Sequence, residues 1–426
     1  MAGPEVEPDL AREAVEHCYE QGWSDGLPVV PASPEYVQRF LAQTTRSPDE
    51  VLWRMDHLNS ECTVETAAIN AAMAGCLPEY FPVVLAAWDA VMRDRAARGG
   101  GWQSTSGPAP LIVVNGPIRH ELGFNCTGGV FAAGFRPNAT IPRAIGLMIR
   151  NAFNLQPHVF DQTTQGLPGR FAICFGENEE ESPWEPLAEE MGLPPGTNAV
   201  SATLTRTFEF VDNRHTQDAE QVLWDFADTI SRTGSLIFRV TSAGIVFCPE
   251  HAQMLAAAGF SKADVKAWLV EHCGRVEADL RSAGKDGVSE GGPGGRSASV
   301  EPRAPADEFT PFLTGPQDVP IVVAGARNAA ISMVFRVFGE WSNSSVAIER
   351  TKAEWGSGLA TIRETLAADG YTIEARQDGE RVLVQIGATP EACDDCLVPP
   401  PVMRGILEKA LAVPASRIDL RYPEEA

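Results

Sequence analysis

Leu111-Ile112-Val113-Val114 runs directly into Asn115-Gly116-Pro117-Ile118-Arg119-His120-Glu121-Leu122-Gly123-Phe124-Asn125-Cys126-Thr127-Gly128-Gly129. Four successive aliphatic residues leave no polar position, as a strand buried on both faces requires. The glycines that follow permit tight turns and close backbone approach. A helix is predicted from Thr140-Ile141-Pro142-Arg143 to about Phe153. Outward from this unit, strands are predicted at 171–175, 202–211 and 235–247, and helices at 217–231, 250–258 and 262–273. Ile321-Val322-Val323-Ala324 reads as a further strand rejoining the same sheet. Short strands alternating with helices argue for an α/β domain.

Toward the N-terminus the periodicity predicts a helix carrying Leu10, Ala14, Val15 and Cys18 on one face and ending near Gly22. The turn Trp23-Ser24-Asp25-Gly26-Leu27-Pro28 follows. Helix 34–43 has Ser33 as its cap. Residues 63–95 read as two helices, the first capped by Thr63 and stopped by Gly75-Cys76-Leu77-Pro78, the second so apolar from Phe81 to Trp88 that it belongs in the core. Residues 281–308, rich in Gly, Ser and Pro, read as a flexible insertion. After it comes a compact unit with helices at 353–368 and 400–411, strands at 371–376, 381–387 and 417–422, and a loop bearing Cys393 and Cys396. The expected organisation is a large mixed α/β domain over 1–350 and a small α/β domain over 351–426.

The chain has 426 residues, long enough for two or three domains at about 150 residues each. Its 34 basic and 57 acidic side chains give a formal net charge of −23, which repels nucleic acid and anionic membrane surfaces alike. No apolar run of about 18 residues suggests a membrane span, and the acidic segment Met1–Leu10 lacks a hydrophobic signal core. The nine cysteines, an odd number without a regular framework, point to a reduced, cytoplasmic protein whose thiols are buried, metal-binding or catalytic.

Chemistry is expected first in the glycine-rich loop, since α/β sheets present ligand sites where strands end. Asn115 and Asn125 supply amides, Arg119 a fixed charge, His120 a proton carrier and Cys126 a thiol. Asn138, Thr140 and Arg143 stand at the start of the next helix, where a phosphate or carboxylate is favoured. The competing reading is that these residues only shape turns and cap a helix. Glu177-Asn178-Glu179-Glu180-Glu181 is the second place. Glu177 and Asn178, at a strand end, could supply a general base or oxygen ligands for a hard metal, whereas Ser182 and Glu185 fit a capping box. The third is Cys248-Pro249-Glu250-His251. A cysteine capping a helix has a lowered pKa and a histidine lies three residues on; the alternative is a buried Cys beside a surface His. The fourth is Cys393-Asp394-Asp395-Cys396, whose paired thiols suit iron, zinc, a redox disulfide or a persulfide.

Residues 359–422 resemble the C-terminal NifU-like domain. The matching text is Ile362-Arg363-Glu364-Thr365-Leu366 with Asp369-Gly370, then Asp378-Gly379-Glu380-Arg381-Val382-Leu383-Val384-Gln385-Ile386-Gly387-Ala388 and the Cys-x-x-Cys pair. The resemblance implies that Cys393 and Cys396 hold a transient iron–sulfur cluster between two copies, and so a homodimer, or act as thiols. Residues 20–340 look like a bacterial family associated with UGSC-type selenoproteins and their cysteine forms. The phrases are Trp23-Ser24-Asp25-Gly26-Leu27-Pro28-Val29, Asn70-Ala71-Ala72-Met73-Ala74-Gly75-Cys76-Leu77-Pro78, Asn115-Gly116-Pro117-Ile118-Arg119 and Asn138-Ala139-Thr140-Ile141-Pro142-Arg143. That resemblance implies a thiol or redox context, with Cys126 and Cys248 as thiols gained at the site.

The function expected from these readings is a cytoplasmic thiol- or iron–sulfur-dependent enzyme acting on a small anionic substrate held by Arg119 and Arg143, with redox or sulfur-transfer chemistry and a redox or sulfur-donor partner protein. The alternatives are a non-enzymatic iron–sulfur or sulfur-carrier scaffold, and a metal-dependent lyase or hydrolase using residues 177–181.

Overall fold

The computed structural model describes residues 8–98, 100–167, 173–235, 242–285, 304–349, 356–378, 381–389, 392, 397–411 and 413–423. The chain divides into two compact units, one of Met1–Leu41 and Arg46–Glu349, the other of Ala42–Thr45 and Arg350–Ala426. Helices and mixed sheets make both α/β, as the alternation of strands and helices predicts.

The large unit begins with α1 (Pro8–Glu20) and α2 (Pro34–Leu41). A hairpin not anticipated from the sequence follows, β1 (Val51–Met55) with β2 (Ser60–Thr63), and then α3 (Val64–Ala74) and α4 (Phe81–Arg93). Thr63 caps α3 by accepting from the Thr66 amide at 3.1 Å. Next come β3 (Ala109–Asn115), α5 (Arg136–Phe153), β4 (Ile173–Gly176) and β5 (Ala199–Asp212). The last part comprises α6 (Ala219–Ile230), β6 (Ala243–Phe247), α7 (Pro249–Ala257), α8 (Lys262–His272), β7 (Ile321–Val323) and β8 (Ile331–Val337). Most of the 281–308 insertion, and residues 236–241 of the predicted 235–247 strand, lie outside the described residues.

The main sheet runs β4-β3-β5-β8-β6-β7, with Val346–Ala347 pairing onto β5. Strands β3 and β4 are parallel, β6 and β7 are parallel, and the pairs through β5 and β8 are antiparallel. The sheet curls far enough that its edges meet just past the strand ends. The Asn178 amide donates to the Val323 carbonyl at 2.8 Å, and the Gly325 amide to the Cys126 carbonyl at 2.9 Å.

Alternation along buried strands then sorts the core into three parts. Leu111, Val113, Phe175, Val246, Val322, Phe335 and Val337 pack inside the curl. Their neighbours Ile112, Val114, Val200 and Ala202 face outward against α2, α3, α4 and α5. Ala243, Ile245, Phe247, Ile321, Val323 and Val334 face a second helical layer of α6, α7 and α8. Helix α4 is buried along most of its length, as its composition predicts, and its Trp88 stacks on Phe153 of α5 at 6.2 Å.

The small unit has α9 (Gly356–Ala368), the antiparallel pair β9 (Tyr371–Asp378) and β10 (Arg381–Ala388), α10 (Pro400–Leu411), and β11 (Ile418–Arg421) parallel to β10. Its core of Leu366, Ile373, Val384, Ile386, Leu407 and Ile418 lies between the sheet and the helices.

Candidate functional site

The glycine-rich loop and the acidic loop meet, but as a closed clasp rather than an open site. Arg119 is buried on a short helix, Ile118–Glu121. Its Nε donates to the Gly116 carbonyl at 2.9 Å, one Nη donates to the Glu177 carbonyl, and its guanidinium pairs with Glu179 at 2.8 Å and Glu180 at 3.0 Å. His120, exposed, bonds Glu180 at 2.8 Å. Asn115 donates to Glu177 Oε2 at 2.6 Å and Glu179 Oε1 at 2.9 Å. Glu177 is fully buried, and burial raises its pKa. Its Oε2 also accepts from the Leu187 amide at 2.8 Å, while Glu177 Oε1 and Asn115 Oδ1 have no partner.

These contacts correct several expectations. The carboxylates of 177–181 are engaged: Glu181 pairs with Arg327, and among the described residues no three His, Cys, Asp or Glu side chains are grouped to hold a metal. Asn178 clamps the curl, its Nδ2 donating to the Gly325 carbonyl at 3.1 Å. Ser182 and Glu185 form no capping box. The helix beyond them starts only at Leu187, and Glu177 rather than Ser182 satisfies its first amide.

Helix α5 begins at Arg136, earlier than predicted, so Asn138, Thr140 and Arg143 all lie inside it. Asn138 bonds both the amide and the carbonyl of Asn125, at 2.9 and 3.1 Å; Thr140 turns back onto the Arg136 carbonyl; Arg143 is fixed to both oxygens of Asp25 at 2.8 and 2.9 Å. Asn125 shapes its own turn through Thr127 and Gly128. The anion-binding role expected of Arg119 and Arg143 therefore has no free guanidinium to serve it. Cys126 lies beneath Arg119 at 3.9 Å; burial raises its pKa while the guanidinium pulls it down. Burial pushes Cys62, Cys76 and Cys273 up to about 12, consistent with packing rather than reactivity.

A cavity of about 680 Å³ opens beside the inner core, lined by the 129–132 loop and by residues of β4, β5, β6 and β8. Phe131, Phe208, Phe210, Ile331 and Met333 make it apolar, and none of its described lining residues is charged. Its polar groups include Cys248 and Ser332. Cys248 caps α7 as the sequence predicts, Sγ accepting from the His251 amide at 3.5 Å. Ser332 Oγ accepts from the Cys248 amide at 2.9 Å and bonds His251 Nδ1 at 2.8 Å.

His251 is fully buried, not on the surface, and its Nε2 lies 3.1 Å from the Asn213 carbonyl. A carbonyl only accepts, so Nε2 carries the proton and Nδ1 receives the Ser332 hydroxyl. Burial lowers the His251 pKa and keeps the ring neutral; burial raises that of Cys248, against the pull of the helix amides. Ser332 and Asn213 were not singled out in the sequence. The available signal was a hydroxyl between Ile331 and Met333 in a mostly apolar stretch.

Cys393 and Cys396 lie outside the described residues. Comparison with known proteins finds no matching family model and no similar curated protein, so the two family resemblances rest on the residues quoted for them.

Proposed function

We propose that the large unit is a thiol-dependent enzyme in which Cys248 attacks a small, largely apolar electrophile held in the 680 Å³ cavity, with Ser332 and His251 as the proton path. The observation that supports this is that the Cys248 amide and His251 Nδ1 both meet Ser332 Oγ, with Cys248 at the wall of a cavity that has no charged residue among its described lining. At rest thiol and imidazole are both neutral. As the Sγ proton moves to Ser332 Oγ, the hydroxyl proton moves to His251 Nδ1, leaving a thiolate beside an imidazolium whose Nε2–H stays on the Asn213 carbonyl. The α7 N-terminus and the His251 amide favour the thiolate. Sulfur then bonds the substrate atom and the leaving group departs with the electron pair, which is group transfer through a covalent thiol adduct. Sulfur transfer belongs to that class. An iron–sulfur role would rest on Cys393 and Cys396 and does not enter this reading.

The test is alkylation of the native chain with N-benzyl iodoacetamide, mapped by peptide mass spectrometry. Among the cysteines of the large unit Cys248 is expected to react first, and Ser332→Ala and His251→Asn are each expected to slow it by about tenfold or more. Labelling of Cys126 with Cys248 left unmodified in the folded chain would overturn the proposal.

A further inference from the structure

The turn Trp23-Ser24-Asp25-Gly26-Leu27-Pro28 takes no part in the Cys248 cavity, yet it is held unusually firmly. Ser24 Oγ accepts from the Gly26 amide and donates to the Leu27 carbonyl at 2.6 Å. Gly26 has φ +97°, a conformation that favours glycine. Arg143 of α5 grips Asp25 through two bonds and also reaches the Leu27 and Pro28 carbonyls. Although burial opposes it, this pairing lowers the Asp25 pKa. The Trp23 carbonyl accepts from Asn151, and the Trp23 amide donates to the Cys18 carbonyl.

This bolted turn presents Trp23, 45 % exposed, to a second cavity of about 850 Å³ between α1, α2 and α3. Leu10 and Ile69, also exposed, line the same opening. His17 packs edge-on against Trp23 at 5.9 Å. Glu13 and Glu65 contribute carboxylates, and no lysine or arginine is among the described lining residues.

We infer that this cavity is a binding site for a small organic cation with an apolar body, whose chain lies among Leu10, Ile69 and Met73 and whose ammonium head sits between the Trp23 ring and the carboxylates of Glu13 and Glu65. An aromatic face and two carboxylates stabilise a cation, and the apolar walls reward a hydrocarbon tail. A free anion gains nothing there. The rigid turn supplies the preorganisation that a lone exposed indole lacks.

Calorimetric titration of the full chain with hexylammonium, 1-hexanol and hexanoate tests the inference, since the three share a tail and differ in head charge. Hexylammonium is expected to bind about fivefold tighter than hexanol, with hexanoate weakest. Glu13→Gln/Glu65→Gln, two exposed positions, is expected to erase the preference while leaving hexanol binding intact; Trp23→Ala is expected to weaken both. Equal affinity for hexanol, preference for hexanoate, an undiminished preference in the double variant, or silence of all three probes (as for a groove that takes a partner protein) would overturn it.

Discussion

Glu180 holds its charge far more firmly than a free carboxylate does. Burial opposes its charge, yet hydrogen bonds from Arg119 and His120 hold its pKa down to about 2. Its folded pKa thus lies below the ordinary 4.5, so the pairing stabilises the fold fully above about pH 4.5 and is lost as pH falls toward 2. The carboxylate is half exposed, so solvent screens the effect. Glu180→Gln is expected to lower the midpoint of thermal unfolding modestly at pH 6–7 and to flatten its decline between pH 4.5 and 2. Parallel curves for variant and parent would count against the assignment.

The same cluster marks a limit of sequence reading. Arg119 among amides and glycines reads as an anion binder because the sequence displays its charge. It does not display that Glu179 and Glu180, about sixty residues later, fold across that charge. Cys248 was more legible, since a cysteine that ends an apolar strand and stands ahead of Pro249 is a local pattern. Its continuation to Ser332 and Asn213 depends on strands brought together from distant parts of the chain.

At the scale of elements, the end of β4 explains why position 176 is glycine. A Cβ there would collide with Cys126 Sγ and stand 3.1 Å from Arg119 Cδ. The strand and the clasp can approach only because this position has no side chain. Gly176→Ala is expected to destabilise the fold by about 1–3 kcal/mol, the usual cost of overpacking. Cys126→Ala in the same chain is expected to return about 1 kcal/mol of that loss, because the two changes share one contact. Additive denaturation free energies in this double-mutant cycle would refute the contact. Helices α1 to α4 and α6 to α8, and strands β3, β4, β5 and β7, were legible from periodicity and capping. Strand β8 was not. Its apolar residues are interrupted by Ser332, which serves the His251 network, and by Arg336, which pairs with Glu209 of β5. Both polar residues face partners that only the finished sheet supplies.

Over the whole molecule, 57 acidic side chains face 34 basic ones, and ion pairs such as Arg119–Glu179, Arg143–Asp25 and Arg336–Glu209 leave the net charge of −23 unchanged. The excess is therefore mutual repulsion at the surface, which salt screens. Raising sodium chloride from 10 to about 150 mM at pH 7 is expected to raise the unfolding midpoint, and the gain is expected to vanish near the isoelectric pH of 4.7. A midpoint that falls with salt at pH 7 would show that specific ion pairs outweigh the net charge. Acidity and α/β class were both readable from composition and pattern; the curl of the sheet was not, because it depends on pairings between residues more than a hundred positions apart.

The order of the strands also has a consequence in time. Strand β8 lies between β5 and β6, yet it leaves the ribosome after both, with residues 213–330 separating it from β5. Until Val337 emerges, the nascent chain holds two half-sheets, each with an open edge awaiting the same partner. The late arrival of their shared centre defers cooperative folding of the large unit until that strand has emerged and makes the interval before it the stage most exposed to aggregation.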